Sequence, residues 1–100
     1  MPLFLKWSSF TKNNISTEPD SFGVYELADR SGNVLYIGEG RLRPRLLSHF
    51  ITGRSPIPGT AKYRAEITGV KERAQQRERA EIRSFTRSYG DCPKFNDRLG

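Results

Sequence analysis

Cysteine and histidine are almost absent from this chain of 100 residues: Cys92 is the sole thiol and His49 the sole imidazole. A lone cysteine excludes an internal disulfide, and one thiol with one imidazole cannot supply the clustered ligands of a zinc site. A hard cation held by carboxylate and water stays compatible, since oxygen donors suffice for it. Nowhere do about 18 apolar residues run together, the length a bilayer crossing needs, so no membrane partner is expected. The opening Met1-Pro2-Leu3-Phe4-Leu5-Lys6-Trp7 is briefly apolar without a basic leader or a small-residue cleavage site. It reads as part of the fold of a cytoplasmic or nucleoid-associated protein. Internal repeats, low-complexity tracts and linkers are missing as well, and a chain of this size is enough for one core but too short for two. Residues 1–100 are therefore expected to form one domain.

What is present in excess is positive charge. The formal balance is +6, and arginine supplies 12 of the 17 basic residues. Guanidinium forks match the oxygens of phosphate and carboxylate, so an anionic partner is favoured, although charge alone does not separate nucleic acid from other anions.

The pattern of apolar residues alternates between two periods. Phe22, Val24, Tyr25 and Leu27 are strand formers, Arg30-Ser31-Gly32-Asn33 is a turn, and Val34-Leu35-Tyr36-Ile37-Gly38 is a second strand, which together predict an antiparallel hairpin. Beyond Gly40, Leu42, Leu46, Leu47 and Phe50 recur at helical spacing, with Pro44 confined to a first turn, and this helix is expected to end near Thr52-Gly53. Residues 53–59, with Pro56 and Pro58, form a loop, and residues 63–70 a third strand. From Lys71 or Glu72 to Tyr89 neither Pro nor Gly interrupts a long helix with Ala80, Ile82 and Phe85 on its buried side. In the tail Gly90-Asp91-Cys92-Pro93-Lys94-Phe95-Asn96-Asp97, Pro93 prevents helix and Phe95 anchors the segment. The expected fold is α+β: a small three-stranded antiparallel sheet flanked by helices, in the order β-β-α-β-α.

Two tripeptides stand out on the hairpin, Gly23-Val24-Tyr25 and Tyr36-Ile37-Gly38, followed by Arg45 on the next helix, Glu81 on the last helix and Pro93-Lys94-Phe95-Asn96 in the tail. Their order resembles that of the GIY-YIG nuclease family, over a motif-bearing core of residues 22–97. The resemblance implies a GIY-YIG fold and a metal-dependent endonuclease that hydrolyses DNA phosphodiester bonds. It also implies a site of Tyr25, Tyr36, Arg45, His49, Glu81 and Asn96.

The chemistry of phosphodiester hydrolysis calls for such residue types. It needs an activated water, and charge neutralised on the non-bridging and leaving oxygens. Glu81 is the expected ligand of one Mg²⁺ or Mn²⁺, with Glu78, one turn earlier on the same face, as its substitute. Arg45 would fork onto the scissile phosphate, in the opening turn of a helix whose positive end also favours an anion. His49, four residues later, shares that face and supports the base near neutral pH. Tyr25 and Tyr36 are candidates for orienting the water, with no sequence signal to choose between them. Asn96 is expected to hold the tail against the hairpin. Arg41, Arg43 and Arg45 are the expected nucleic-acid contacts.

Each residue also has a plainer reading. Strand tyrosines commonly fill cores, a helical histidine commonly faces solvent, and arginines alternating with Glu72, Glu78 and Glu81 commonly form a solvated face. One departure from the pattern is notable. The excision-repair branch of the family commonly carries lysine after its second tripeptide, where Glu39 stands here. Glu39 could face solvent, pair with Arg41 or Arg43, or add a metal contact. The competing function is therefore a degenerate GIY-YIG module that binds nucleic acid without cutting it. No base-reading element accompanies the core, so branched or nicked DNA, or targeting by a protein partner, is expected rather than a recognition sequence.

Overall fold

The computed structural model of the protein describes residues 6–96. Residues 1–5 of the apolar start, and Asp97 at the end of the anticipated core, lie outside the described residues. The elements run β1 (Ser8–Ser9), α1 (Lys12–Ser16), β2 (Phe22–Ala28), β3 (Val34–Arg41), α2 (Leu42–Ser48), β4 (Lys62–Ile67) and α3 (Lys71–Tyr89). The strands pair antiparallel in the order β1-β4-β2-β3. The fold is thus α+β, with the expected β-β-α-β-α succession preceded by a two-residue strand and a one-turn helix that sequence patterning had not signalled.

The hairpin closes through Asp29. Its Oδ1 accepts the backbone N–H groups of Ser31 and Asn33 at 3.0 and 2.9 Å, while Gly32 takes a φ of 91° that only glycine adopts without strain. Central strand β2 is buried from Gly23 through Ala28 because helices cover both faces of the sheet. On one face Tyr25, Leu27, Tyr36 and Tyr63 pack with Ile15, Leu42, Leu46, Ile57 and Phe95. On the other, Val24 and Ile37 meet Ile82 and Phe85 of α3. A bulge lies between these faces: Leu27 pairs with Tyr36 but Ala28 with Val34, leaving Leu35 unpaired against β2. The extra residue lets Leu35 and Tyr36 both contribute to the larger core, which strict alternation forbids.

Three boundaries differ from expectation. Strand β4 stops at Ile67 rather than reaching residue 70, because the amides of Thr68 and Gly69 both turn back to the carbonyl of Phe22. Helix α2 stops at Ser48 rather than near Gly53. The carbonyls of Ser48 and His49 accept from Ser55 and Ile57 of the returning loop, which replaces continued helix. Pro44 does lie in the first turn. On α3 the fully buried positions are Ala74 and Glu81, with Ile82 and Phe85 partly covered and Ala80 at the margin.

The tail docks on the free edge of β3. Phe95 N–H donates to the Leu35 carbonyl at 2.9 Å, and the Asn96 carboxamide both accepts from Ile37 N–H at 2.9 Å and donates to its carbonyl at 2.8 Å. One side chain thereby satisfies a strand residue that would otherwise be open to edge-to-edge association. Asn96→Ala should lower the free energy of unfolding by about 1–3 kcal/mol, the cost of stranding a buried donor and acceptor. Asn96→Asp should not restore it, since a carboxylate lacks the donor; urea denaturation of the three proteins checks both.

Candidate active site

The register of the hairpin explains the two tripeptides. Tyr25 lies opposite Gly38, Gly23 opposite Gly40, and Tyr36 opposite Leu27, one step along the same face. A β-carbon at Gly38 would stand 2.5 Å from Cζ of Tyr25 and 2.7 Å from Cε2 of Tyr36, so the glycine is the floor on which both rings rest. Gly40 has the same relation to Arg45: its φ is 135°, and a β-carbon there would lie 2.8 Å from Arg45 Cγ. The glycines at 38 and 40 thus serve the close approach of side chains.

His49 caps the C-terminal end of α2 and is buried, with 1% of its surface exposed. Its Nδ1 lies 2.8 Å from the carbonyl oxygen of Ser55, and its Nε2 lies 2.6 Å from the Tyr25 hydroxyl. A carbonyl can only accept, so Nδ1 carries the hydrogen and Nε2 receives the O–H of Tyr25. Burial pushes the histidine pKa below its ordinary 6.5, opposed by the Ser55 hydrogen bond and reinforced by the charge of Arg45. The imidazole is therefore neutral at pH 7, in a single tautomer.

With its hydrogen committed to His49, Tyr25 presents its lone pairs to Arg45. The guanidinium of Arg45 acts on both phenols through its charge, on Tyr25 more strongly than on Tyr36. Burial raises the pKa of both phenols, and Arg45 lowers both against that trend. The rings of Tyr25, Tyr36 and His49 have centroids 5.1 to 6.2 Å apart. Tyr25 is fully enclosed, whereas Tyr36 keeps 7% of its surface open and is the phenol nearer solvent.

The charge of Glu78 reaches this cluster, acting on Tyr25, Tyr36 and Arg45, and that of Glu39 reaches Tyr36; the Glu78 pKa is raised by partial burial and then by Glu39. Glu81 is elsewhere. It points to the α3 side of the sheet, 2% exposed, 3.0 Å from Arg77 Nη1 and beside Glu26, which Arg64 binds at 2.8 Å. The sheet separates it from Tyr25. Three residues apart at about 100° each, the two glutamates differ by about 60° around α3, and Glu81 is buried where Glu78 is half-exposed.

Tyr25, Tyr36, Arg45 and His49 thus converge, and Glu81 does not join them. Asn96 contacts the backbone of Ile37, beside the cluster rather than within it. Arg41 is bound in bidentate fashion by Asp20 at 3.0 and 3.1 Å, and Arg43 donates to the Glu18 carbonyl at 3.0 Å. Both are exposed but already engaged within the chain. The carbonyl of Ser55 is the contributor that sequence reasoning missed, and a main-chain oxygen has no sequence signal. Among the described residues, no three or more His, Cys, Asp or Glu side chains are grouped to hold a metal ion. A cation here would rest on one or two carboxylates, with water and substrate oxygen completing its shell. No described helix is long and apolar enough to cross a membrane.

A family model described as "Domain of unknown function (DUF7508)" matches residues 1–84. The chain is also similar to UvrABC system protein C of Mycobacterium tuberculosis (strain H37Rv) and of Mycobacterium bovis (strain BCG / Pasteur). Each is 34% identical over 93 residues, covering 85% of this chain and 13% of the relative. The chain accordingly spans only a small part of the length of those relatives.

The depressed pKa of His49 has a thermodynamic consequence. Unfolded histidine titrates near 6.5 and the folded one lower, so the unfolded state binds more protons between these values. The contribution of His49 is complete above pH 6.5 and is lost as pH falls toward the folded pKa. The difference in Tm between the protein and His49→Gln should therefore narrow as pH drops from 7.5 toward 5, as thermal melts at matched salt would record.

Proposed function

The chain belongs to the DUF7508 family, and within it we propose a GIY-YIG-type endonuclease that hydrolyses DNA phosphodiester bonds with the help of one Mg²⁺ or Mn²⁺. The observation that carries this reading is the chain of contacts from the Ser55 carbonyl through His49 to Tyr25, beside Tyr36 and within reach of the charges of Arg45 and Glu78. Similarity to UvrABC system protein C across most of this chain supports a DNA-repair setting.

Arg45 is the group for the scissile phosphate. Its planar fork is oriented by two phenols, and among the described residues it forms no ion pair that a phosphate would have to displace. Tyr36, with its residual exposure, orients the attacking water. As the water oxygen bonds to phosphorus, its proton passes to the Tyr25 oxygen while Tyr25 yields its own hydrogen to Nε2 of His49, and the bond to the leaving oxygen breaks, that oxygen taking a proton from solvent. His49, neutral and fixed in tautomer, supports that proton acceptance through Tyr25 and holds the Tyr25 hydroxyl in the direction that positions Arg45.

The donor set at the site suits a hard cation. Glu78 is a half-buried carboxylate whose charged form is disfavoured by burial and by Glu39, a situation that a divalent ion relieves. Glu78 is thus the metal ligand in this proposal, in place of Glu81, with Glu39 available as a second oxygen donor. When bound, the ion would supply Lewis-acid stabilisation of developing negative charge and a more acidic water.

A second reading rests on Glu39 itself. A negative charge where the excision-repair branch carries lysine favours a module that holds nucleic acid without cutting it.

The test is incubation of the purified protein with linear, nicked, flap and junction DNA, with Mg²⁺, Mn²⁺ or chelator. Cutting is expected with either ion and absent with chelator. Arg45→Ala should reduce turnover by about 100-fold or more, the usual scale for losing a transition-state donor. Glu78→Gln should abolish metal-dependent cutting, while Glu81→Gln lowers thermal stability and still cuts. Full activity in Glu78→Gln would refute the assignment of the ligand. Binding without cuts under every condition would establish the module.

A further inference from the structure

The net charge of +6 is not carried by the face that holds Tyr25 and Arg45. There Asp20 neutralises Arg41, the Glu18 carbonyl occupies Arg43, and Glu39 and Glu78 surround Arg45 and Tyr36. Half of it lies instead on α3, whose six basic residues outnumber three glutamates. Arg79, Arg83 and Arg87 follow one another at intervals of about one turn along the side of the helix opposite Glu81, and Arg73 stands nearer the N-terminus, about 120° around the helix from Arg79 and toward β4. All four are exposed.

The glutamates of the helix offset this row only in part. Glu81 is turned under the helix to Arg77, Glu78 is half-buried and acts by charge on Arg79 alone of the row, and Glu72 is exposed on the outer side. Among the described residues, Arg73, Arg79, Arg83 and Arg87 form no ion pair. The exposed neighbours along the row are Gln76 and polar residues, and the large exposed apolar side chains nearest to it, Val70 and Tyr89, stand at the two ends of the helix. A protein partner would ordinarily find an apolar or aromatic anchor at the centre of its interface, and the centre of this row holds none. Guanidinium groups without a central anchor suit phosphate oxygens.

We infer that the outer side of α3 is a second nucleic-acid contact, taking the phosphate backbone of a duplex arm other than the one that presents its phosphate to Arg45. From Arg73 to Arg87 these four arginines span about 21 Å of helix axis, a length over which B-form DNA displays about 12 charges. The sheet and α3 stand between the row and the tyrosine cluster, in a molecule whose principal extents are 34 × 29 × 25 Å. A straight duplex lying along one of these sides leaves the other uncovered. The ligand is therefore branched or sharply bent. This inference rests on the nuclease reading only for what occupies Arg45.

The experiment measures binding in chelator, so that it is independent of cutting. Fluorescence anisotropy would compare a four-way junction with a linear duplex of equal total length, across 50 to 200 mM salt, for the unmodified protein and the triple variant Arg73→Gln, Arg83→Gln, Arg87→Gln, each checked for its fold by circular dichroism. The unmodified protein should prefer the junction by about tenfold or more, as two linked contacts would. In the triple variant the junction preference should vanish, and the slope of log K against log salt on the junction should fall by about 2.7, or 0.9 per lost arginine. An unchanged slope, or equal losses on junction and linear DNA, would overturn the inference. So would tighter binding of polyglutamate than of the junction. A protein that binds the junction through α3 yet cuts nothing with Mg²⁺ or Mn²⁺ would defeat the nuclease reading and leave this one standing.

Discussion

The hydrogen bond of 2.6 Å between the Tyr25 hydroxyl and His49 Nε2 is the contact on which the rest of the cluster depends. It ties the central strand to the end of α2, and it sets the direction of the one hydrogen that decides what Tyr25 can offer its other neighbour. The bond in turn needs the Ser55 carbonyl to hold the imidazole hydrogen on Nδ1, and it needs Gly38 to leave room beneath the ring. Loop 48–57 is thus as much a part of the site as the hairpin: its return to Ser48 and His49 stops α2 and aims the imidazole. Burial does the remaining work, keeping the histidine neutral and the phenol protonated while a permanent guanidinium charge stands beside them.

The two faces of the sheet have different electrostatic tasks. The tyrosine face gathers a small number of polar groups within an apolar core, each oriented by the next. The α3 face contains a buried network in which Arg64 binds Glu26 and Arg77 bridges Glu66 and Glu81. Removing one partner from such a network leaves a buried charge uncompensated, which accounts for glutamates and arginines inside so small a protein. Arg64 also lies over the Trp7 ring at 4.1 Å, closing this network at the β1 end of the sheet.

Much of the site was legible before the fold was known because the hairpin motif is local. Two strands around a short turn bring the two tripeptides together, with the bulge at Leu35 then setting Tyr25 opposite Gly38, and the four-residue interval from Arg45 to His49 brings both to one end of a short helix. Glu81 was misplaced because Glu78 and Glu81 are equivalent in a helical pattern of charge: period and propensity do not distinguish which of the two the fold buries. Arg41 and Arg43 looked free in sequence, yet Asp20 and the Glu18 carbonyl, distant in the chain, occupy them.

What the sequence determined by itself is the α+β class, the order of the main elements, the tyrosine-glycine hairpin and the surplus of arginine, since these follow from local periodicity and composition. Only the tertiary structure decided the bulge at Leu35, the end of α2, the tautomer of His49, the choice of Glu78 over Glu81 beside the tyrosines, and the side on which the positive charge collects. Each of these depends on a neighbour brought close by folding, and for Leu35 and His49 that neighbour is a backbone group. A main-chain carbonyl is identical at every position in sequence, and acquires its particular role only when a side chain from elsewhere is packed against it.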